Sequence, residues 1–359
     1  MNKLLRYRIL TLLLPVQIIF IIGISHFPEV VEKYYSNGIY PIISRIFRLL
    51  FGWLPFSAGD ILYFLIGLSL LIGLIKFFRD TRKSYKEHLY RLGAYLSVFF
   101  FLFHFLWAMN YHRETAFKRF DIPARDYTVE ELNTLANGLL KKLKQVQLQL
   151  VNNDTLKVTI PYSKKELLER TLLGYKELAK IYTGLTYNTS SLKNSMYSLP
   201  LTYMGFAGYF NPLSGEAQVD YLVPKVSLAM ISSHEIAHQV GIGSEAEANF
   251  VGYLAATHNP DTYFNYSGYL TGFRFSVAAM YYKDSIAAKR VIDSIPKGIM
   301  KNIEESKEFW LSYQNQLEPV FKLFYDNYLK ANQQKDGLKS YSNMIYLLAA
   351  YHNKYGMPQ

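Results

Sequence analysis

Three stretches of the chain are apolar almost without interruption: residues 9–24, 61–78 and 92–109. Each approaches the roughly 20 residues that a helix needs to cross the hydrocarbon core of a bilayer. The pattern therefore predicts three membrane-spanning helices, at about 9–25, 60–78 and 91–109. No small-x-small cleavage pattern follows Ile24, so the first run reads as an uncleaved anchor and not as a removable signal. Between the first two runs, residues 26–58 mix charges with an aromatic, amphipathic stretch at 40–56. There Arg45 and Arg48 stand among apolar residues at near-helical spacing. Two readings fit: an interfacial helix with snorkelling arginines, or a short helix packed on the spans.

Beyond residue 112 the pattern becomes that of a globular domain. Residues 128–151 have helical apolar spacing, with Thr128 as N-cap and Glu131 three positions on, the signature of a capping box. Residues 156–160 alternate like a short strand stopped by Pro161. Ser163 and Glu166 form a second capping-box pair, opening a helix to about residue 182. Residues 186–213 are rich in Gly, Pro, Asn, Ser and Tyr and read as loop. Residues 215–223 look like a strand, and Pro224 then opens the next helix. After residue 250 the chain reads as mostly helix, with amphipathic runs near 263–283 and 299–330. A last run starts at Ser340, after the Asp336-Gly337 turn. The expected fold is a multi-pass α-helical membrane anchor, residues 1–112, followed by a mainly α (α+β) domain with a small sheet, residues 113–359.

Composition sharpens this picture. Half of the 359 residues are hydrophobic, enough for a packed core. The net charge is +11, and Lys and Arg gather in residues 1–8 and 76–86, before the first span and between the second and third. The positive-inside rule places both clusters in the cytoplasm and the C-terminal domain outside it. The expected location is therefore a membrane, with the domain extracytoplasmic. No nucleic-acid-binding motif accompanies the charge, so the expected partner is the lipid bilayer and not nucleic acid. The chain has no cysteine, which excludes disulfides, thiolate metal sites and cysteine nucleophiles.

Residues 232–250 carry the candidate chemistry: Ser-Ser-His-Glu-Ile-Ala-His-Gln-Val-Gly-Ile-Gly-Ser-Glu-Ala-Glu-Ala-Asn-Phe. His234 and His238, four apart on a helix, share one face a turn apart, as two ligands of one ion require. Glu235 sits about 100° round the helix, where it can reach a water without binding the metal. A catalytic zinc site takes three protein ligands, and without cysteine the third must be His, Asp or Glu. Gly241 and Gly243 would end the helix and let the chain reverse. Ser244 and Glu247 then have capping-box form, which leaves Glu245 free to face the metal, with Glu247 as the substitute ligand. Asn249, four residues beyond Glu245, could orient a ligand.

His234-Glu235-x-x-His238 followed by Glu245-Ala246-Glu247-Ala248-Asn249 resembles the gluzincin zinc peptidases. Several membrane-bound members carry Glu-x-x-Ala-Asp on the following helix. That resemblance implies a zincin-like domain, one Zn2+, Glu245 as third ligand and a peptide or protein substrate. Asn249 stands where the pattern has Asp, and the interval from His238 to Glu245 is shorter than in most gluzincins. The whole chain is also similar to a family of uncharacterised three-span bacterial membrane proteins. The shared features are Trp107-x-x-Asn110-Tyr111, the Gly215-Glu216-Ala217 strand, His-Glu-x-x-His-Gln and Glu247-Ala248-Asn249-Phe250. In such peptidases an edge strand holds the substrate, and residues 215–221 are placed to do so. The implied reaction is hydrolysis by a metal-activated water, with Glu235 as general base. A Tyr or His would steady the oxyanion: Tyr341 is the first candidate and His258 a lesser one. The alternative from another class is a catalytically inactive, metal-binding membrane scaffold. A transporter fits less well, because the spans carry few charged residues.

Overall fold

The computed structural model describes residues 3–79 and 85–357. Its N-terminal part is dominated by α1 (Lys3–Ile24), α4 (Ala58–Arg79) and α5 (Tyr85–Leu106), each of 22 residues. At 1.5 Å per residue each runs about 33 Å, and each is long and apolar enough to cross a membrane. The apolar windows of α1 and α4 have none of their residues buried and that of α5 only 11%. These are therefore not core helices of the globular part. Of the expected basic loop at 76–86, residues 80–84 lie outside the described residues.

Between the first two of these helices the chain passes through α2 (Pro28–Val30), a π-helical stretch (Val31–Ile39) and α3 (Tyr40–Phe51). One face of α3 is buried against the C-terminal domain: the Tyr40 and Ser44 hydroxyls donate to Gln239 O at 2.9 and 2.8 Å. Arg48 does not snorkel. It is buried on this same face, with its guanidinium carbon 4.9 Å from the centroid of the Tyr187 ring. Arg45 is exposed, beside an uncovered apolar face. After α5 a 3-10 turn (Ala108–His112) and α6 (Ala116–Arg119) lead into the domain.

The domain contains α7 (Val129–Val151), α8 (Lys164–Ile181), α9 (Ser198–Met204), α10 (Lys225–Gln239), α11 (Glu245–Thr257), α12 (Thr262–Lys283), α13 (Ser285–Asp293), α14 (Lys297–Tyr313) and α15 (Glu318–Ala331). A 3-10 segment (Gly337–Asn343) then precedes α16 (Met344–Tyr355). The α7 capping box forms as expected, with Thr128 and Glu131 bonding reciprocally. At α8 only half of it forms: Ser163 Oγ accepts from Glu166 N, but the Glu166 carboxylate pairs with Arg170. The long run near 299–330 is two helices. Asn315 Oδ1 accepts from Leu317 N and Glu318 N, breaking the run and starting α15.

Residues 156–160 do not form a strand. The Asn302 side chain stands in for a partner strand: its Oδ1 accepts from Val158 N at 2.9 Å and its Nδ2 donates to Val158 O at 3.0 Å. The sheet has β1 (Leu192–Asn194), β2 (Gly208–Asn211) and β3 (Glu216–Val219), in the order β1-β3-β2. β1 runs parallel to β3, with Leu192 opposite Ala217, and β2 antiparallel to it, with Gly208 opposite Val219. β1, α9 and β2 all fall in the stretch expected to be loop. β3 is the central strand, so residues 215–221 cannot be the substrate-holding edge. Both edges of β3 are already paired, and the free antiparallel edge belongs to β2. The core centres on α10 and α11, which pack on each other and on α8 and α12, with α10 lying against the sheet.

Candidate metal centre

α10 starts after the turn that follows β3, with Pro224 at its N-cap. It is buried on nearly every side, and its Ser232 and Ser233 hydroxyls bond back to Leu228 O and Ala229 O. The orphan carbonyls of its last turn are met by residues from the N-terminal part of the chain. Trp107 Nε1 donates to His238 O at 3.0 Å, and Tyr40 and Ser44 donate to Gln239 O. Gly241 then turns the chain at φ +89°, a left-handed conformation that L side chains rarely adopt. Arg113 Nη1 holds the Gly241 carbonyl at 2.7 Å. The reversal lays α11 against α10 and brings Glu245 onto the two histidines.

The geometry is that of a small polyhedron. His234 Nε2 and His238 Nε2 lie 3.2 Å apart. Glu245 Oε2 is 3.2 Å from the first and 3.4 Å from the second. A tetrahedral zinc with bonds of about 2.0–2.1 Å requires ligand atoms about 3.3–3.4 Å apart. The three edges fit that requirement. His234, Glu235 and His238 also converge, each offering an atom within 4.8 Å of the others. Two carboxylates thus reach the histidines. Glu245 Oε2 meets the edges of a zinc tetrahedron with the two Nε2 atoms, and Glu235 is the second carboxylate beside the same histidines. Among the described residues, buried Glu235 Oε2 and Glu245 Oε2 have no hydrogen-bond partner. A buried acceptor left in this state costs roughly 1–3 kcal/mol or more, so the donor set fits a bound cation.

The outer nitrogens support the same fit. His234 Nδ1 lies 2.9 Å from Asn249 Oδ1, and His238 Nδ1 2.7 Å from Ile242 O. Both partners are acceptors, so each Nδ1 carries a proton and each Nε2 faces inward, where it can offer a lone pair to a metal ion once it holds no proton of its own. Electrostatics point the same way. Burial opposes charge on His238, but the carboxylates of Glu245 and Glu235 outweigh it and raise the ring to about 9. Burial also opposes charge on Glu245, yet the two histidines hold it far below the usual carboxylate range. Burial raises Glu235 to about 7 against the pull of the same histidines. The cluster is built around a positive charge.

The expected neighbours sort as follows. Asn249 is where the sequence placed it, behind His234. Glu247 turns away: it accepts from Ala116 N at 2.7 Å and pairs with Arg119. Ser244 makes no side-chain cap, so the anticipated Ser244–Glu247 box is absent. Gln334 Oε1 accepts from Glu245 N instead, at 2.9 Å. The Tyr341 ring stacks on His234 at 6.2 Å between centroids. His258 is elsewhere, at the far end of α11, with Nδ1 on Leu254 O. Sequence reasoning missed Tyr325, whose hydroxyl donates to Glu245 Oε1 at 2.9 Å and lies 3.2 Å from the Tyr341 hydroxyl. Burial, reinforced by Glu245, keeps both phenols protonated well above their ordinary range. It also missed Gly208 of β2. A Cβ there would fall 2.5 Å from Glu235 Oε1 and 2.7 Å from Gln218 O. Only glycine lets β2 pass so close to that carboxylate.

These features define a mostly helical protein with three helices able to span a membrane, a small mixed sheet and a buried His-Glu-His group that can hold a metal ion. The chain belongs to the family described as "Protein of unknown function (DUF3810)", whose model matches residues 35–349. That match takes in α4, α5 and the whole candidate centre. Comparison with curated proteins and with solved structures gave no match.

Proposed function

We propose that this protein is a membrane-anchored, zinc-dependent peptidase with a zincin-like site, held in a bacterial inner membrane with its domain on the extracytoplasmic side. The observation that carries the reading is the convergence of His234 Nε2, His238 Nε2 and Glu245 Oε2 at mutual distances of 3.2–3.4 Å, beside a second carboxylate that ligation does not use. A structural zinc site closes with four protein ligands; three ligands and a free Glu235 favour catalysis. Zinc in this position supplies Lewis acidity for a carbonyl and for water. Glu235, beside the two histidines, is the group that would take a proton from water and return it to the leaving amine. Tyr341 and Tyr325, both protonated, are the donors nearest the cluster for a developing oxyanion.

β2 supports the same reading. Asp220 N donates to Ala207 O at 2.8 Å, which sets the alternation of the β2·β3 ladder. Gly208 and Phe210 then turn their backbone N–H and C=O away from β3, toward the free edge. An extended peptide pairing there would pass Glu235.

The test uses the full chain in detergent, wild type and Glu235→Gln, with bound zinc and peptide hydrolysis both measured. About one zinc per chain is expected in each, with hydrolysis lower in the variant by roughly 10²–10⁴-fold. Equal hydrolysis in the two would sink the mechanism. Zinc held by a wild type that cleaves no peptide would establish the scaffold alternative instead.

A further inference from the structure

The candidate centre is ringed by side chains from the domain-facing ends of two of the membrane-length helices. Tyr63, in the second turn of α4, stacks on Tyr209 of β2 with centroids 6.2 Å apart. Trp107, just past α5, packs 5.0 Å from Phe210 of β2 and 5.9 Å from His238. Phe103, in the last turn of α5, meets Tyr328 of α15 at 6.3 Å. The free edge of β2 therefore runs beside the places where α4 and α5 leave the apolar layer.

Two further apolar faces flank this level, and the domain covers neither. On α3, Ile42, Ile46, Leu49 and Leu50 are each at least half exposed, and Trp53 just beyond is 75% exposed. They lie opposite the buried Tyr40, Ser44 and Arg48. α3 leads through a short turn into α4, whose own apolar surface is also uncovered. α15 is two-sided as well. Tyr325 points inward, reaching Glu245 and packing 4.9 Å from Phe206, just before β2. Val320 and Phe324, about 140° and about 100° round the helix from Tyr325, are uncovered, as is Leu317 ahead of it. Through Tyr328 and Phe103 this face meets α5. Both faces have the form of interfacial helices, and their continuity with α4 and α5 identifies lipid as what covers them.

Resting on the peptidase reading above, we propose that the substrates are membrane-anchored polypeptides, cut in an extended segment close to where the chain leaves the bilayer. α15 reaches Glu245 through Tyr325 and β2 reaches Glu235 at Gly208, and both elements pack on the membrane-length helices through Tyr328–Phe103 and Tyr209–Tyr63. A soluble peptide must insert there, whereas a tethered chain is already in place. Recognition through the backbone of Gly208 and Phe210 demands an extended conformation and tolerates varied sequence. The rings of Phe206, Phe210, Trp107 and Tyr328 favour apolar and aromatic side chains, which abound in juxtamembrane segments.

The chain has no cysteine, so single-cysteine labelling is unambiguous. Ile42→Cys, Phe324→Cys and, as control, Tyr282→Cys (91% exposed, in the last turn of α12) would each carry a fluorophore in phosphatidylethanolamine–phosphatidylglycerol vesicles containing doxyl lipid. Labels at 42 and 324 are expected to be quenched several-fold and the label at 282 to be unaffected. In the same zinc-loaded vesicles, a flexible peptide is presented either free or joined to a transmembrane helix. The tethered form is expected to be cut at least tenfold faster, with cuts confined to about the first ten residues from the membrane. Unquenched labels at 42 and 324, or cuts spread evenly along the tether, would overturn this inference while leaving the peptidase reading standing. Quenched labels with no cleavage of either peptide would overturn both.

Discussion

Asn249 acts on the candidate centre from behind. Its Oδ1 takes the Nδ1 proton of His234, and its Nδ2 reaches toward Tyr341 O at 3.4 Å. Without that acceptor the His234 ring is free to rotate and its tautomer is no longer fixed. Asn249→Ala is expected to weaken zinc binding by about 10–100-fold, read by competition with a chelator. Asn249→Asp keeps an oxygen at the same place and is expected to retain or strengthen binding; a loss equal to that of alanine would show that packing, not the hydrogen bond, matters. A second histidine makes a stability claim. His352 is buried between Tyr253 Oη, 2.9 Å from Nε2, and Gly356 O, 2.8 Å from Nδ1. Burial lowers it to about 4 against the pull of that carbonyl. The folded value lies below the unfolded one of about 6.5, so the unfolded chain takes the proton first. The neutral ring contributes fully above about pH 6.5, and its contribution fades as pH falls toward 4, by up to roughly 3 kcal/mol. The denaturation midpoint should fall over that range, and His352→Gln should flatten the decline. A wild-type midpoint unchanged between pH 7 and 4 would refute this assignment.

β2 is a four-residue strand whose position depends on one glycine. In Gly208→Val the new side chain meets the Glu235 carboxylate, which can swing, and the Gln218 carbonyl, which is backbone and cannot. β2 must shift, taking its free edge with it. Peptide hydrolysis is expected to fall at least tenfold while zinc content stays at the wild-type level; full activity would mean that the edge of β2 is not where substrate lies. This element also shows where reading the sequence fails. The membrane-length helices, the α7 capping box, the Pro224 start of α10 and the Gly241 reversal are legible because each rests on a local signal. β1 and β2 are not, because strands of three or four residues give too little alternation to separate from loop. Residues 156–160 mislead in the opposite sense: the alternation is there, but a side-chain amide occupies the place of a partner strand. Tyr325 reaches Glu245 across 80 positions of sequence, from a helix with no motif of its own. His234, Glu235, His238, Glu245 and Asn249 all fall within sixteen consecutive residues, and for that reason they could be read.

At the scale of the whole molecule, the N-terminal helices and the C-terminal domain share buried polar groups and not merely a linker. Glu216, opening β3, accepts from Ala58 N at 3.2 Å and Gly59 N at 2.5 Å and so caps α4 from the domain side. Asp60, in the first turn of α4, answers in the other direction. It accepts from Met196 N at 2.6 Å, from Ser195 Oγ at 3.2 Å and from the Tyr209 hydroxyl of β2. Removing it strands a backbone N–H and a phenol in a buried place. Asp60→Ala is expected to cost on the order of 3 kcal/mol, visible as a lowered thermal midpoint in detergent. The functional consequence should be selective. His234, His238 and Glu245 stand on α10 and α11 and make no contact with Asp60, whereas β2 is tied to it through Tyr209. Zinc stoichiometry is therefore expected to persist while kcat/KM for peptide falls, and Asp60→Asn, which keeps one acceptor oxygen, should recover part of it. Loss of zinc in step with activity would show instead that α4 supports the whole centre. Retention of full activity would mean that β2 holds its place without the anchor.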